Sequence, residues 1–375
     1  MPKRGLLPKR EMDFSVLVVT LMLVLTGIVV VFSASSYMAT IKIGDPYFYF
    51  KKQILGAVIG SVAILFLSRF DYHKYQRFTV VKWGAVVIPV LMLLAVRFVP
   101  ALSVSLNGSS RWLNLGFITI QPSEIAKFAL VVYMSIYMAE KRHDMMDFTK
   151  GVVPMLAVVG GVCLLILLQP NFSMVMCIAI ITLIMLYVGG ARKLHLGVMC
   201  SIGVVAVIAL IIVEPYRMER LMAFLDPFAD PSDTGYQLIQ SFYALASGGL
   251  FGRGLGMSQQ KLLFLPYGES DFVFSVYAEE FGFFGVLLLL SMYLFLIYRG
   301  VRISATCKDK FGSLLAAGVT ALIGVQVIIN VAVVTGSMPP TGQTLPFISA
   351  GSSSLIMFMA ATGVLMNISK NCVKT

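Results

Sequence analysis

Asp271 is the acidic residue whose surroundings in the sequence best suit general-base chemistry. It follows a polar break that contains Pro266 and Gly268, and a long apolar run begins soon after it. A carboxylate at such a boundary can meet both solvent and substrate, and burial can raise its pKa toward the working pH. The simpler alternative is that Asp271 only caps the helix that follows, which aspartate does well.

Glu124 and Lys127 are a second candidate pair, in the segment NGSSRWLNLGFITIQPSEIAK at residues 107–127. Pro122 precedes them and suits the first turn of a helix, so the two charges, three residues apart, share one helix face. They are either a structural ion pair within an apolar bundle, or part of a site for an anionic ligand together with Arg111. The residue pattern leaves both interpretations open.

Three further basic residues lie in the long polar stretch 214–285. Arg217 and Arg220 are three residues apart just beyond an apolar run, and Lys261 follows the glycine-rich segment 247–256. The arginines either snorkel to lipid headgroups or bind a pyrophosphate. The glycine-rich segment matches no nucleotide-binding loop. Its apolar residues favour a position on the bilayer surface, which suits a lipid substrate.

The composition indicates a helical membrane protein rather than a soluble one. Hydrophobic residues make up 58% of the 375 residues, charged residues make up 13%, and the mean hydropathy is +0.88. Apolar runs of about 18 residues recur, long enough to cross a bilayer as helices, and the alternating pattern of a membrane barrel is absent. The net charge of +11 does not indicate nucleic-acid binding, because the basic residues flank the apolar runs.

We predict an all-α integral membrane protein with about ten transmembrane helices in a single polytopic domain, residues 1–375. The first apolar run follows four basic residues and is too long for a usual signal-peptide core, so we expect it to be retained. The predicted spans cover residues 14–34, 53–68, 79–96, 123–140, 151–168, 172–188, 196–213, 273–298, 312–332 and 352–369.

The distribution of Lys and Arg sets the expected orientation in the cell membrane. More than half of the 29 basic residues lie beside span ends that share one side, and positive charge marks the cytoplasmic side. Both terminal tails, 1–13 and 370–375, are then cytoplasmic. The segments 97–122, 214–272 and 333–351 are extracellular, and 214–272 forms a large loop between helices 7 and 8. Because no histidine lies outside, a site there must use carboxylates, Lys and Arg.

Three segments together identify a resemblance to a known family. They are the segment 107–127 quoted above, GLFGRGLGMSQQKLLFLPYGESDFVFSVYAEEFGFFG at 249–285, and PPTGQTLPFISAGSSSL at 339–355. From about Asp13 to about Ser369, the chain resembles the SEDS (shape, elongation, division and sporulation) family of bacterial cell-wall polymerases. The TGQTLPF form is more similar to the FtsW/SpoVE branch of division and sporulation than to the RodA branch of elongation.

The resemblance implies a peptidoglycan glycosyltransferase that polymerises lipid II on the outer face of the membrane, in cell division or sporulation. The family's catalytic Asp falls on Asp271. Its Glu and Lys after Gln-Pro-Ser fall on Glu124 and Lys127. Its Arg-Trp pair falls on Arg111 and Trp112. The expected partners are lipid II, the membrane and a cognate class B penicillin-binding protein, a transpeptidase.

Two positions depart from the family's pattern. Its Gln-Pro-Asp-Leu-Gly is here Gln-Pro-Asn-Phe-Ser, so an acid is missing at Asn171. Its Ser-Tyr-Gly-Gly-Ser-Ser is here Ser-Ala-Gly-Ser-Ser, which includes Ala350. Asp271 and the Glu124–Lys127 pair are intact, so we expect activity, with any consequence confined to local substrate contacts.

Our main hypothesis is inverting glycosyl transfer between two lipid-linked disaccharides. A sugar hydroxyl of the acceptor attacks the anomeric carbon of the donor, undecaprenyl pyrophosphate leaves, and Asp271 accepts the hydroxyl proton. A single inversion needs no second, nucleophilic carboxylate. Positive side chains offset the leaving-group charge, alone or with a divalent cation (Mg²⁺ or Mn²⁺). The candidates are Arg111, Lys127, Arg217, Arg220 and Lys261, and no residue is assigned as a metal ligand.

Two other function classes are compatible with the residues. A flippase or transporter that moves the lipid-linked precursor without chemistry would use the same cations and intramembrane Glu residues. Clustering of the candidates on the outer side, rather than through the full bilayer, favours the enzyme. A scaffold that only recruits division enzymes leaves the buried charges unexplained.

Overall fold

Long apolar runs form helices in the computed structural model, which describes residues 12–99, 103–106, 109–114 and 119–371. The helices are α1 (Phe14–Ile43), α2 (Phe48–Arg69), α3 (His73–Arg77), α4 (Thr79–Phe98), α5 (Pro122–Glu140), α6 (Val153–Leu167), α7 (Phe172–Gly189), α8 (Lys193–Val213), α9 (Pro215–Leu225), α10 (Tyr236–Gly248), α11 (Val273–Thr306), α12 (Lys310–Val334) and α13 (Ser352–Ser369). The strands β1 (Ser103–Leu106), β2 (Ser109–Asn114) and β3 (Thr119–Ile120) form an antiparallel sheet in that order.

Each of the ten predicted spans coincides with a helix. Within the described ranges, nine helices are long and apolar enough to cross a membrane; one of these begins with the π-helical turn Phe148–Val152 that leads into α6. The remaining predicted span is α5, a 19-residue helix whose side chains are mostly buried and which carries Glu124 and Lys127. The prediction of an all-α membrane protein with about ten spans is confirmed.

Some element boundaries differ from the sequence prediction. Helix α1 continues past residue 34 to Ile43, because no Gly or Pro follows until Gly44, which adopts φ +82° and ends the helix. The predicted external segment 214–272 contains two helices, α9 and α10, and the predicted segment 97–122 contains the small sheet. The N-terminal basic residues lie outside the described residues.

Helix α12 is surrounded by other helices, whereas α8 exposes its apolar side chains. About four fifths of the apolar window of α12 is buried, and α5, α7, α11 and α13 pack around it. Helix α8 has no buried residue. A helix that is apolar on all sides and unburied by protein belongs in the hydrocarbon of a bilayer.

Glycines allow α2 and α13 to approach each other closely. A Cβ at Gly363 of α13 would lie 2.9 Å from Cα of Ile64 and 3.0 Å from its carbonyl oxygen. A Cβ at Gly60 of α2 would lie 2.3 Å from Sδ of Met359. Small residues at such positions let membrane helices gain the packing contacts that stabilise them in lipid.

Helix α11 is interrupted at Gly282, where the segment that follows α10 joins it. Gly282 has φ +66° and ψ −169°, which is not helical. The N–H of Phe283 donates to the carbonyl of Gly249 at 2.9 Å, and the N–H of Arg253 donates to the carbonyl of Glu279 at 3.0 Å. Backbone groups released by a break at membrane depth need such partners, so the segment that follows α10 has a defined attachment to α11.

Substitution of Gly363 with Ala tests the close approach of α2 and α13. The added methyl group would meet the backbone of Ile64 at 2.9 Å, so we expect a loss of about 1–3 kcal/mol in the free energy of unfolding. The measurement is the melting temperature in detergent, followed by size-exclusion chromatography. Gly203→Ala in α8 is the matched control, because no atom lies within 4 Å of its added Cβ. Equal melting temperatures for the two variants would contradict the packing described.

Candidate active site

A cavity of about 800 Å³ lies where the three predicted external segments meet α1, α2, α7 and α8. Concave sites with a few convergent polar groups are the usual place for substrate binding. The cavity contains Asp271 and three of the six residues predicted to bind substrate. Its charged lining residues are Lys42, Arg111, Arg217, Arg220, Glu269 and Asp271.

A hydrogen-bonded turn directly before α11 presents Asp271 to the cavity. The N–H groups of Ser270 and Phe272 donate to the carbonyl of Tyr267 at 3.0 and 3.2 Å. The carbonyl oxygen of Asp271 accepts a hydrogen bond from Nδ2 of Asn330, in the buried helix α12, at 2.8 Å. The backbone of Asp271 is therefore fixed to the core, and its partly buried side chain lines the cavity.

The carboxylate of Asp271 does not serve as the cap of α11. The N-cap position is Phe272, and no side chain makes the capping hydrogen bond. A Cβ at Gly342 would lie 3.3 Å from Oδ2 of Asp271, and Gly342 has φ +66°. The loop between α12 and α13 thus approaches the carboxylate at a backbone conformation that favours glycine.

The same loop holds the turn before α11 from a second side. Oγ of Ser349 donates to the carbonyl of Ser270 at 2.6 Å. The N–H of Ala350 donates to the carbonyl of Glu269 at 2.9 Å. Because both bonds use backbone carbonyls of the turn, they set its position without engaging either carboxylate.

Burial raises the pKa of Asp271 to about 6, and the neighbouring carboxylate of Glu269 acts in the same direction. Arg220 and Arg111 act against these effects, as does a hydrogen bond with Ser270. Asp271 is therefore ionised at neutral pH but is a stronger base than an ordinary aspartate, whose pKa is about 3.9. Such a carboxylate suits the acceptance of a proton from a hydroxyl group.

Backbone carbonyls orient two of the cavity arginines. Arg111 donates from Nε to the carbonyl of Gln169 at 3.0 Å and from Nη2 to that of Pro170 at 2.5 Å. Arg220 donates from Nη1 to the carbonyl of Pro340 at 3.2 Å. Since a carbonyl carries no formal charge, these bonds orient the guanidinium groups without neutralising them.

Arg217 is oriented in the same way by the helix before it. Its Nη1 donates to the carbonyl of Leu210 at 2.8 Å, and its guanidinium carbon lies 5.1 Å from the ring centre of Phe172. Guanidinium groups match the geometry and charge of phosphate oxygens. The arrangement can therefore place a phosphate-bearing group beside a carboxylate base.

A family model of the FtsW, RodA and SpoVE proteins, described as "Cell cycle protein", matches residues 14–374. The chain belongs to this family. The resemblance inferred from the three sequence segments is thus confirmed.

Members of the FtsW/RodA/SpoVE family align with nearly the whole chain. Stage V sporulation protein E of Bacillus subtilis (strain 168) is 38% identical over 363 residues, which span 96% of this chain and 98% of that protein. A protein named "Probable peptidoglycan glycosyltransferase FtsW", from Geobacter sp. (strain M18), is 39% identical over 359 residues, which span 95% and 96%.

Solved structures of similar proteins share the fold. A chain in the structure described as "Structural coordination of polymerization and crosslinking by a peptidoglycan synthase complex" has a TM-score of 0.76 and 26% identity, and the match covers 96% of this chain and 97% of that chain. The rod shape determining protein RodA of Thermus thermophilus has a TM-score of 0.67 and 24% identity, and the match covers 97% and 98%. The latter likeness concerns the fold alone.

Both departures from the family's pattern lie in the cavity wall. Oδ1 of Asn171 accepts a hydrogen bond from the N–H of Met174 at 3.3 Å, so the amide caps α7 while the residue lines the cavity. Ala350 lines the cavity as well. The two changes therefore alter the wall of the cavity and leave Asp271 in place.

Glu124 and Lys127 form a buried ion pair that does not line the cavity. Nζ of Lys127 lies 3.1 Å from Oε2 of Glu124, and the two side chains are 1% and 5% exposed, respectively. Lys127 also donates to Oε1 of Gln326 and lies over the ring of Phe358. Ser354, which does line the cavity, donates to Glu124 at 3.4 Å. The pair thus lies one layer behind the cavity wall, and direct substrate contact stays a prediction.

Lys261 is also absent from the cavity lining. Its Nζ lies 2.9 Å from Oε1 of Glu280 and donates to Oγ of Ser33 at 2.9 Å. The side chain is buried and joins the segment between α10 and α11 to α11 and α1. These contacts give Lys261 a structural partner, and its predicted contact with substrate stays a prediction.

Lys42, Tyr49 and Glu269 are among the cavity residues that were not predicted as site residues. Lys42 was missed because the predicted first span ended before it, although α1 carries it to the cavity. Tyr49 and Glu269 carry no motif of their own. The available signal for Glu269 was its position two residues before Asp271 on the same polar break.

Metal-ligating side chains do not form a ready-made cluster at this site. Across the described ranges, no group of three or more His, Cys, Asp and Glu residues is arranged to hold a metal ion. The carboxylates of the cavity lie near arginines, whose positive charge disfavours the binding of a metal cation nearby. The donor set alone therefore does not define a site for Mg²⁺ or Mn²⁺, and a divalent cation stays an expectation.

Lys127→Ala tests whether the buried pair is structural. Removal of one partner leaves a buried unpaired charge, which costs on the order of 3–5 kcal/mol, so the folded yield should fall together with activity. The double variant Glu124→Gln/Lys127→Met removes both charges and should recover part of the yield, measured as the monodisperse fraction in size-exclusion chromatography. A well-folded but inactive Lys127→Ala protein would instead indicate direct substrate contact.

Proposed function

We propose that this protein polymerises lipid II by inverting glycosyl transfer, with Asp271 as the general base. The chain is a multi-pass membrane protein and a peptidoglycan glycosyltransferase of the FtsW and SpoVE type, with a role in division or sporulation. The observation that carries the detailed mechanism is the carboxylate of Asp271, with its pKa raised to about 6, in one cavity with three arginines.

The reaction needs one proton transfer and one displacement. The acceptor hydroxyl gives its proton to Asp271 as its oxygen bonds to the anomeric carbon of the donor. The bond from that carbon to the pyrophosphate oxygen breaks, and the electron pair leaves with undecaprenyl pyrophosphate. Arg111, Arg217 and Arg220 stabilise the developing negative charge. One displacement inverts the anomeric carbon, so no covalent sugar–enzyme intermediate is required.

The outer face of the membrane is the proposed location of this chemistry. The cavity is built by the segments that the distribution of Lys and Arg assigns to the outside, with both termini cytoplasmic. A class B penicillin-binding protein is the proposed partner, since a similar chain was solved in a structure described as a peptidoglycan synthase complex that coordinates polymerization and crosslinking.

A flippase is the competing hypothesis, and the arrangement of the charges disfavours it. Transport needs polar groups along a path through the bilayer. The charged residues of the cavity instead gather around Asp271 and Glu269, at the level of the predicted external segments. Lys127 and Lys261, the two candidate cations outside the cavity, are engaged in buried ion pairs.

Asp271→Asn separates the base from a purely structural aspartate. The amide keeps the size of the side chain but cannot accept the proton, and loss of a general base typically lowers the rate about 10²–10⁴-fold. We expect a folded, partner-binding and inactive protein when labelled lipid II is supplied and products are sized on a gel. Asp233→Asn, on an exposed residue of the external segment, should polymerise normally. Polymerisation by Asp271→Asn at more than about a tenth of the wild-type rate would exclude Asp271 as the base.

Thiol labelling in intact cells tests the proposed orientation. In a background without the native cysteines, Ser232→Cys should react with a membrane-impermeant reagent, whereas Lys308→Cys should react only after the membrane is permeabilised. Both positions are exposed in the structure, so a difference between them reports the side of the membrane. The reverse labelling pattern would place the cavity on the cytoplasmic side and remove the external site.

A further inference from the structure

Glu269 is a second carboxylate in the cavity, and the mechanism above gives it no part. It lies two residues before Asp271 on the same turn, is partly buried, and lines the same cavity. Its carboxylate makes no ion pair and no hydrogen bond to another residue in the described part of the chain. Burial of a carboxylate without a partner costs free energy. Its presence in a substrate cavity therefore suggests a function.

Different charged groups face the two carboxylates. Arg111 from β2 and Arg220 from α9 act on Asp271. Lys42, at the end of α1, acts on Glu269, and Tyr49 of α2 lies close enough to Glu269 to feel its charge. The charge of Glu269 also acts on Asp271. The negative charge of Glu269 therefore acts on Asp271 in opposition to the two arginines.

The arginines and the base place opposite electrostatic demands on the cavity. Guanidinium groups that stabilise a leaving pyrophosphate also stabilise the ionised form of Asp271, and thereby weaken it as a base. A nearby negative charge restores proton affinity to Asp271. Burial is the larger contribution to the proton affinity of Asp271, and the charge of Glu269 adds to it without removing water from the substrate space.

We propose that Glu269 is a positioning residue for the base. Its negative charge, on the same hydrogen-bonded turn as Asp271, offsets the charge of the cavity arginines and so maintains the proton affinity of Asp271. This inference rests on the proposed role of Asp271. The bonds from Ala350 to the carbonyl of Glu269, at 2.9 Å, and from Ser349 to the carbonyl of Ser270, at 2.6 Å, fix the backbone of the turn that carries both carboxylates. Glu269 forms no bond to substrate, and the transferred proton goes from the acceptor hydroxyl to Asp271 and then to water.

The expected pH dependence of the rate follows from the protonation state in which Asp271 is active. Ionised Asp271 is the base, so the rate rises with pH through its pKa of about 6 and levels off above it. Burial raises the pKa of Glu269 as well, and Lys42 opposes this. Loss of the charge at Glu269 lowers the pKa of Asp271, which moves the acid limb to lower pH and weakens the base on the plateau.

Glu269→Gln tests the inference, because it keeps the size of the side chain and removes the charge. The full-length protein, with its penicillin-binding partner, is assayed on labelled lipid II between about pH 5 and 8.5. We expect the midpoint of the acid limb of kcat/KM to move down by about 0.5–1 unit, plateau kcat to fall about two- to threefold, and KM to stay unchanged. Glu269→Ala should give the same shift, and Glu269→Asp, which keeps the charge, should restore most of the wild-type profile.

Glu219→Gln is the matched control. It makes the same chemical change on an exposed residue of α9 that does not line the cavity, so the wild-type profile should persist. An unmoved acid limb in folded Glu269→Gln or Glu269→Ala overturns the inference. A raised KM with an unmoved limb overturns it too, and assigns Glu269 to substrate contact. Failure of the proposed function itself would appear differently, as an inactive wild type or an active Asp271→Asn.

Discussion

Pairing of buried carboxylates on α11 is the constraint on which the candidate site depends. Oε2 of Glu279 accepts a hydrogen bond from Oγ of Ser258 at 2.5 Å, and Glu280 pairs with Lys261 at 2.9 Å. Charges inside a membrane bundle are stable only when they are paired, so the external segment has to return to α11. This return sets the path of the residues that follow, up to Asp271, which lies two residues before the same helix.

The turn that carries Asp271 and the segment before it are attached to the fold at three independent places. The backbone at the Gly282 break binds the segment after α10, Asn330 binds the carbonyl of Asp271 from α12, and Ser349 binds the same turn from the loop before α13. Preorganised groups need not rearrange when charge moves in the transition state, and this is the main source of electrostatic stabilisation in enzymes. The architecture of α11, α12 and α13 thus serves the chemistry as well as the stability of the bundle.

The sequence predicts the membrane helices and the location of Asp271 in a cavity better than it predicts the other residues of that cavity. The helices follow from apolar length, and Asp271 follows from a carboxylate at the edge of a polar break. Whether a lysine contacts a carboxylate or a cavity depends on the path of the external segment, which has no periodic pattern. Lys261 therefore met Glu280 instead of the cavity, whereas Lys42 reached the cavity because α1 is longer than its apolar run indicated.

The departures from the family's pattern can be understood through the charge balance of the cavity. The family's aspartate at the turn after α6 is here Asn171, which still caps α7 but adds no negative charge beside Arg111, whose guanidinium donates to the carbonyls of residues 169 and 170. The arginine side of the cavity is consequently more positive than the family's pattern implies. A more positive surrounding weakens a carboxylate base, and Glu269, on the turn that carries Asp271, supplies negative charge where it supports that base directly.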